Sequence, residues 1–265
     1  MTPSLSKVLA ANGLSPNSFF ASASNEKILE GELPAGRVVE TWVKLAGAAS
    51  ETGYWPIIRG SLDDVYEPIE GDADAILAAV PTGSIREILK PRFEERRESL
   101  SEIASELARA IDMDELGKLA DIEGINLFGG YVEEPWPTDI PEQVSFHTVR
   151  ELKGQPASAL LVRVEHSYEV AAHLGFGGWN DCPSSELQVA AMREWYKKYR
   201  AVPACITGDV LECAVMKPPQ TEAEALKLAA EHWIFCDDIV GQGTQTVRKL
   251  AMEIWRSPNW FFWWD

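Results

Sequence analysis

The 265-residue chain carries 41 acidic against 24 basic side chains, a formal net charge of −17, and is 46% hydrophobic and 25% charged. That composition describes a globular protein long enough to bury a sizeable core. It disfavours nucleic acid and anionic membranes as partners, because both select clustered Lys and Arg, and no run of roughly 18 apolar residues is present to span a bilayer.

The start, MTPSLSKVLAANGLSPNSFF, lacks a basic segment followed by a sustained apolar one, so no export signal is read and a cytoplasmic location is expected. Glu40 to Ala49 has helical spacing, Thr52-Gly53 stops it, and Trp55 to Arg59 reads as a short strand ending at Gly60. Residues 61–74 (SLDDVYEPIEGDAD) hold Asp63, Asp64, Glu67, Glu70, Asp72 and Asp74 with no base, which reads as a solvated acidic loop. The spacing does not match a calcium loop. Ser84 and Glu87 form a capping-box pattern ahead of an apolar stripe through Ile85, Ile88, Leu89, Phe93, Leu100, Ile103, Leu107 and Ile111. Pro91 predicts a kink or restart within that helix. Residues 112–142 are acidic and rich in breakers, so they read as loop or linker, with a domain boundary near 140–156.

Beyond the boundary, Ala159 to Glu165 reads as a strand and Ser167 to Leu174 as a short helix running into the turn GFGGWNDCP. Ser185 and Gln188 suggest a second capping box opening a helix to about Arg200. Val202 to Ile206 and Val210 to Met216 read as a hairpin turning at Thr207-Gly208-Asp209. Thr221 and Glu224 suggest a third box and a helix through about Cys236. Thr244 to Arg256 reads as a last helix and NWFFWWD as a final buried strand. The stretches ETWVKLAGAASETGYWPIIRGS and REWYKKYRAVPACITGD echo one another, each placing a Trp early in a helix ahead of a proline-led apolar strand.

Three stretches, GFGGWNDCP, AEHWIFCDDIVGQGTQT and NWFFWWD, occur in the order found in a bacterial family called domain of unknown function 4253, which roughly residues 158–265 resemble. Members usually read Cys-Pro-Asp-Ile where this chain has Cys236-Asp237-Asp238-Ile239. The resemblance implies no activity.

The chemistry-bearing residues offer two enzyme readings and one binding reading. His232 and Cys236 lie four apart on a predicted helix and share a face. With Cys182 and His173 they could form a Cys2His2 zinc shell. Cys236 or Cys182 with His232 or His173, and Asp238 or Asp181 as the third group, could instead form a hydrolytic centre, the set Cys236, His232 and Asp238 being the foremost. Simple packing of these side chains is the competing explanation. Cys182, Cys205, Cys213 and Cys236 form no C-x-x-C pair and are expected as free thiols. No phosphate loop or nucleophile elbow is present, and no cofactor is expected. The glycines of GFGGWNDCP permit a sharp turn that holds Trp179, Asn180 and Asp181 on a rigid corner. The two conspicuous turns, 175–183 and 237–244, could meet at one sheet edge around a tryptophan-floored polar pocket.

The sequence therefore predicts an α+β fold, a mixed or antiparallel sheet flanked by helices, in one or two lobes. An acidic N-terminal region (1–150) precedes a C-terminal α+β domain (156–265). Residues 1–150 hold 26 acidic and 13 basic side chains, so most of the charge excess lies there. The expected function is non-catalytic capture of a basic protein, most concretely a cognate toxin, through Asp63, Asp64, Glu67, Glu70, Asp72, Asp74, Trp179, Asn180 and Asp181.

Overall fold

In the computed structural model, residues 2–22, 25–62, 72–99 and 135–265 are described. The elements are α1 (Pro3–Ala11), β1 (Phe20–Ala21), β2 (Ile28–Leu33), α2 (Val38–Gly47), α3 (Ala49–Thr52), β3 (Tyr54–Gly60), α4 (Ala73–Ala79), α5 (Ile85–Ser99), α6 (His147–Glu151), β4 (Ala157–Arg163), α7 (Val170–Leu174), α8 (Ser185–Tyr199), β5 (Ala201–Ile206), β6 (Val210–Val215), α9 (Glu222–Phe235), α10 (Val247–Ile254) and β7 (Asn259–Trp263). A π turn spans Ile239–Thr244. The fold is α+β, with one mixed sheet between two layers of helices. Among the described residues no helix is long and apolar enough to cross a membrane.

The strands lie in the order β1-β2-β4-β3-β5-β6-β7. Every pairing is antiparallel except β3 with β5. Central strands are buried on both faces, so they read as unbroken apolar runs such as AVPACI, in which all six residues are buried. Successive side chains still alternate between faces. Ile57, Leu160 and Val162 join Trp195, Tyr199, Trp233, Phe235 and Leu250 on the face covered by α8, α9 and α10. Ile58, Ala159 and Leu161 join Leu5, Leu9, Trp42 and Phe146 on the opposite face. The two echoed stretches become α2–β3 and α8–β5. Their strands are parallel neighbours, and their tryptophans, Trp42 and Trp195, pack on opposite faces.

The joint between β3 and β5 is narrow. Its backbone register is the single pair Ile58↔Cys205. Pro203 has no N–H to donate, and its carbonyl instead accepts from the indole Nε1 of Trp55 at 2.8 Å. Trp42 makes the matching bond to the carbonyl of Pro56 at 2.9 Å. Trp55 packs against both core clusters, so one residue ties the strands by hydrogen bond and by contact.

Several local expectations meet their residues here. Ser84 and Glu87 form the predicted box: the Glu87 carboxylate accepts from the Ser84 N–H at 2.8 Å, and the Glu87 N–H donates to Ser84 Oγ at 3.4 Å. The helix continues unbroken through Pro91 to Ser99. Leu100, Ile103, Leu107 and Ile111 lie outside the described residues, as do 112–134 of the predicted linker. The box at Ser185 is not formed. Ser184 is the N-cap, and Ser185 Oγ donates to the carbonyl of Phe176 at 3.0 Å while the Gln188 amide donates to the Cys182 sulfur at 3.4 Å. Both side chains turn inward because the glycine turn beneath them has polar groups to satisfy. Thr221 caps α9 as expected, but Glu224 bonds the N–H of Gln220 rather than closing a box on Thr221. The last helix begins at Val247, capped by Thr246, because the preceding glycine-containing stretch takes the wider π turn.

The boundary expected near 140–156 contains α6 and ends immediately before β4, and β4 inserts between β2 and β3. Residues 1–150 and 156–265 therefore contribute to one sheet. Within 156–265, β4 and β5 are not neighbours, because β3 occupies the slot between them. Residues 156–265 expressed alone should consequently lack a fixed tertiary structure. Near-UV circular dichroism checks this: the fragment's aromatic signal should collapse relative to the full chain.

Candidate functional site

The GFGGWNDCP turn is built on left-handed backbone. Gly175 (φ 57°) terminates α7, and Gly177 (φ 115°) and Gly178 (φ 88°) reverse the chain. A Cβ on Gly177 would lie 2.1 Å from the carbonyl oxygen of Pro183, so no larger residue fits. The Gly178 N–H donates to the carbonyls of Cys182 and Pro183, and Cys182 N–H to that of Trp179 at 2.8 Å. Trp179 is half-buried against Phe176, with ring centroids 5.1 Å apart. Asn180, at φ 45°, donates from its amide to the carbonyl of Asp265 at 2.7 Å.

The second turn meets the first through this C-terminal residue. Asp238 accepts from the Asp265 N–H at 3.1 Å and from the Gln242 amide at 3.0 Å. The two turns do lie together, and two arginines of α5 tie them. Arg92 donates to the Asp181 carboxylate and carbonyl, each at 2.8 Å, and to the carbonyl of Ile234 at 3.2 Å at the end of α9. Guanidinium groups suit a helix C-terminus, where carbonyls lack intrahelical partners. Arg96 pairs with Asp181, and its other nitrogen lies 3.4 Å from Asp237. Asp237 also accepts from Trp233 Nε1 at 2.7 Å. Burial raises the Asp237 pKa, while Arg96 and the Trp233 bond oppose that rise. Asp181 is thus neutralised within the fold, although the sequence suggests it as a partner-binding residue. Arg92→Ala should destabilise the protein by about 2 kcal/mol, by leaving buried carbonyls and a carboxylate without their donor. Urea unfolding of the variant measures it.

The thiol and imidazole candidates are core residues. His232 is 1% exposed and sits among Trp195, Trp260 and Phe262, with centroids 4.8, 4.6 and 4.7 Å away. Desolvation lowers its pKa to about 3, so the ring is neutral at physiological pH. Cys236 is 0% exposed and its thiol donates to the carbonyl of Trp263 at 3.0 Å; burial raises its pKa. Burial likewise pushes the Cys182 thiol up to about 12. His173 is buried and its pKa is lowered, chiefly by desolvation. Neutral, enclosed thiols are poor nucleophiles. No hydrogen bond links Cys236 to the His232 ring; the contact between the two residues is the backbone bond from Cys236 N–H to the His232 carbonyl. Among the described residues, no three His, Cys, Asp or Glu side chains converge to hold a metal ion, so the His173, Cys182, His232 and Cys236 set is not assembled. All four cysteines are free and buried.

Burial of His232 has a pH consequence. The unfolded imidazole takes up a proton near pH 6.5, whereas the folded one does so only near 3. As pH falls below 6.5 the unfolded state binds a proton that the fold refuses. This residue therefore removes up to about 1.4 kcal/mol of stability per pH unit. Neighbouring Glu231, whose pKa is raised by burial, acts in the opposite direction, because its folded form binds the proton more readily. Urea unfolding at several pH values should therefore show His232→Leu losing less stability than wild type between pH 6.5 and 4.

Of the predicted acidic surface, Asp63, Asp64, Glu67 and Glu70 lie outside the described residues. Asp72 is the N-cap of α4, accepting from Asp74 N–H at 3.0 Å and Ala75 N–H at 3.2 Å. This part of the predicted loop is therefore the start of a helix. Asp74 is exposed and lies 3.3 Å from Lys27.

One feature was not read from the sequence. A cleft of about 640 Å³ follows β7, lined by Ser145, His147 and Arg150 from the segment on one sheet face and by Thr244, Leu250 and Glu253 from the elements on the other. Glu212 at its base is buried and accepts from the N–H groups of His147 (2.6 Å) and Thr148 (2.8 Å). Phe261 is 38% exposed, with the His147 ring 5.5 Å from its own. Only the sheet order places β7 at an edge, and long-range order leaves no local mark on NWFFWWD.

Together these observations define a mixed-sheet α+β protein whose two conspicuous polar turns are tied to each other and to α5, and whose β7 edge lines a cleft. Residues 158–265, from β4 through β7, match the model of a family described as domain of unknown function (DUF4253). Neither the curated proteins nor the solved structures yield a match.

Proposed function

We propose that this is an acidic, non-catalytic binding protein of the cytoplasm that captures a basic protein, an immunity-type inhibitor of a basic toxin being the concrete case. The observation that carries the reading is a group of carboxylates without basic partners at the C-terminal end of β7. Asp209 accepts from Trp263 Nε1 at 3.0 Å, and Asp238 and Asp265 meet at the strand's end. Among the described residues none of the three forms an ion pair with Lys, Arg or His. With a net charge of −17 behind them, they favour encounter with a cationic surface. The hydrolase and metal-enzyme alternatives through His232, Cys236 and Asp238 find less support, since thiol and imidazole are enclosed, neutral and not hydrogen-bonded to each other.

Affinity capture from the soluble extract of the native host tests this. A basic protein should be retained at low salt and released in about 0.5 M salt, where the Debye length is only about 4 Å. Retention of no basic protein at low salt contradicts the proposal.

A further inference from the structure

The outer edge of β7 is open in one short window. Trp264 N–H donates to the carbonyl of Asp209, and Val215 N–H to that of Pro258. The register pairs Leu211 with Phe262 and Cys213 with Trp260. In an antiparallel ladder alternate residues bond to the same neighbour. Residues 258, 260, 262 and 264 therefore aim their backbone groups at β6, while Asn259, Phe261 and Trp263 aim theirs outward. Asn259 is closed off: its N–H and carbonyl both bond Ser257 Oγ, at 3.3 and 3.0 Å. The Trp263 carbonyl is taken by the Cys236 thiol. Among the described residues, the N–H and carbonyl of Phe261 and the N–H of Trp263 have no partner. An extended strand could supply all three bonds.

The same window floors the cleft described above. The lining comes from both faces of the sheet, from Ser145–Arg150 on one and from α10 with the π turn on the other. Two recessed edges of this kind cannot approach each other, so a second copy is a poor occupant and a single extended segment is a good one. The apolar lining, with Ile239, Leu250, Ile254 and Phe261, suits alternate aliphatic side chains. The charge is directional. Asp209, Asp238 and Asp265 cluster at the Trp263 end. An antiparallel segment that exchanges both bonds with Phe261 would offer the carbonyl of the residue two positions earlier to the Trp263 N–H. Its N-terminal end would then lie by those carboxylates.

Resting on the binding-protein reading above, we infer that the β7 edge is the recognition site, and that it takes up an extended, aliphatic segment of the partner as an added antiparallel strand with basic residues toward its N-terminus.

The test uses the full chain and has two arms. In the free protein, amide hydrogen exchange by NMR should be fast at Phe261 and Trp263 and slow at Trp260 and Phe262. If Phe261 is as protected as Phe262, the edge is already occupied and the inference falls. Protection that grows with concentration alongside a dimer in sedimentation would assign the edge to a second copy and also overturn it. In the second arm, short acetylated peptides of alternating valine and threonine are titrated. They carry two lysines at the N-terminal end, two at the C-terminal end, or two glutamates. The N-terminal lysine peptide should bind best, and methylating the backbone nitrogen that faces Phe261 should weaken it by about tenfold for the one bond lost.

Phe261→Pro removes an outward N–H while leaving the β6 ladder intact, so it should fold and bind the peptide at least about tenfold more weakly, whereas Phe261→Ala keeps the backbone bonds. Absence of peptide binding, or binding indifferent to N-methylation, would refute the site. Peptide binding without any basic host partner would refute the preceding proposal and spare this one. A basic partner captured equally well by Phe261→Pro would do the opposite.

Discussion

The architecture depends on β3 filling the slot between β4 and β5. Ile57 and Ile58, adjacent in that strand, enter the two core clusters on opposite faces of the sheet. Removing the strand would expose both clusters at once and leave two central strands unpaired along one edge each. The joint to β5 is nevertheless slender, with the pair Ile58↔Cys205 and the Trp55 indole bonded to the Pro203 carbonyl. A joint with so little backbone pairing relies on the packing around it, and hence on helices from both halves of the chain. The arginines of α5 add a second tie across the same divide, binding Asp181 and the end of α9.

This arrangement explains why the residues richest in chemistry are engaged within the fold. The glycine turn, the Asp237-Asp238 turn and the C-terminal residue meet where helix ends need donors and acceptors, and their polar groups are used there. His232, Cys236 and Cys182 lie beneath them, where desolvation keeps imidazole and thiols neutral. Among the described residues, the outward N–H and carbonyl of Phe261 and the outward N–H of Trp263 on the β7 edge stay without a partner, which is why the proposed recognition is placed on backbone groups rather than on these side chains.

Local order was legible in the sequence and long-range order was not. The Ser84 box, the hairpin at Thr207-Gly208-Asp209 and the strands on either side of it follow from turn chemistry and periodicity within a few residues. The apolar run around Leu160 announces a buried strand, but nothing in it names β2 and β3 as its neighbours. Ser185 and Gln188 match a capping pattern yet serve the glycine turn, because tertiary demand overrides a local motif when buried polar atoms must be satisfied. Asp181 reads as surface charge since its partners, Arg92 and Arg96, lie far away along the chain. The start of α4 was hidden by acidity: Asp72 looks like part of a charged loop and is a helix cap.

If the sheet is one cooperative unit, its strands should open together. Native-state hydrogen exchange at increasing denaturant tests this most directly, by giving the free energy of opening for amides in β3, β4, β5 and β6. The account predicts that all four converge on a single value equal to global unfolding. Exchange from β3 at a distinctly lower free energy, while β5 and β6 stay protected, would contradict it.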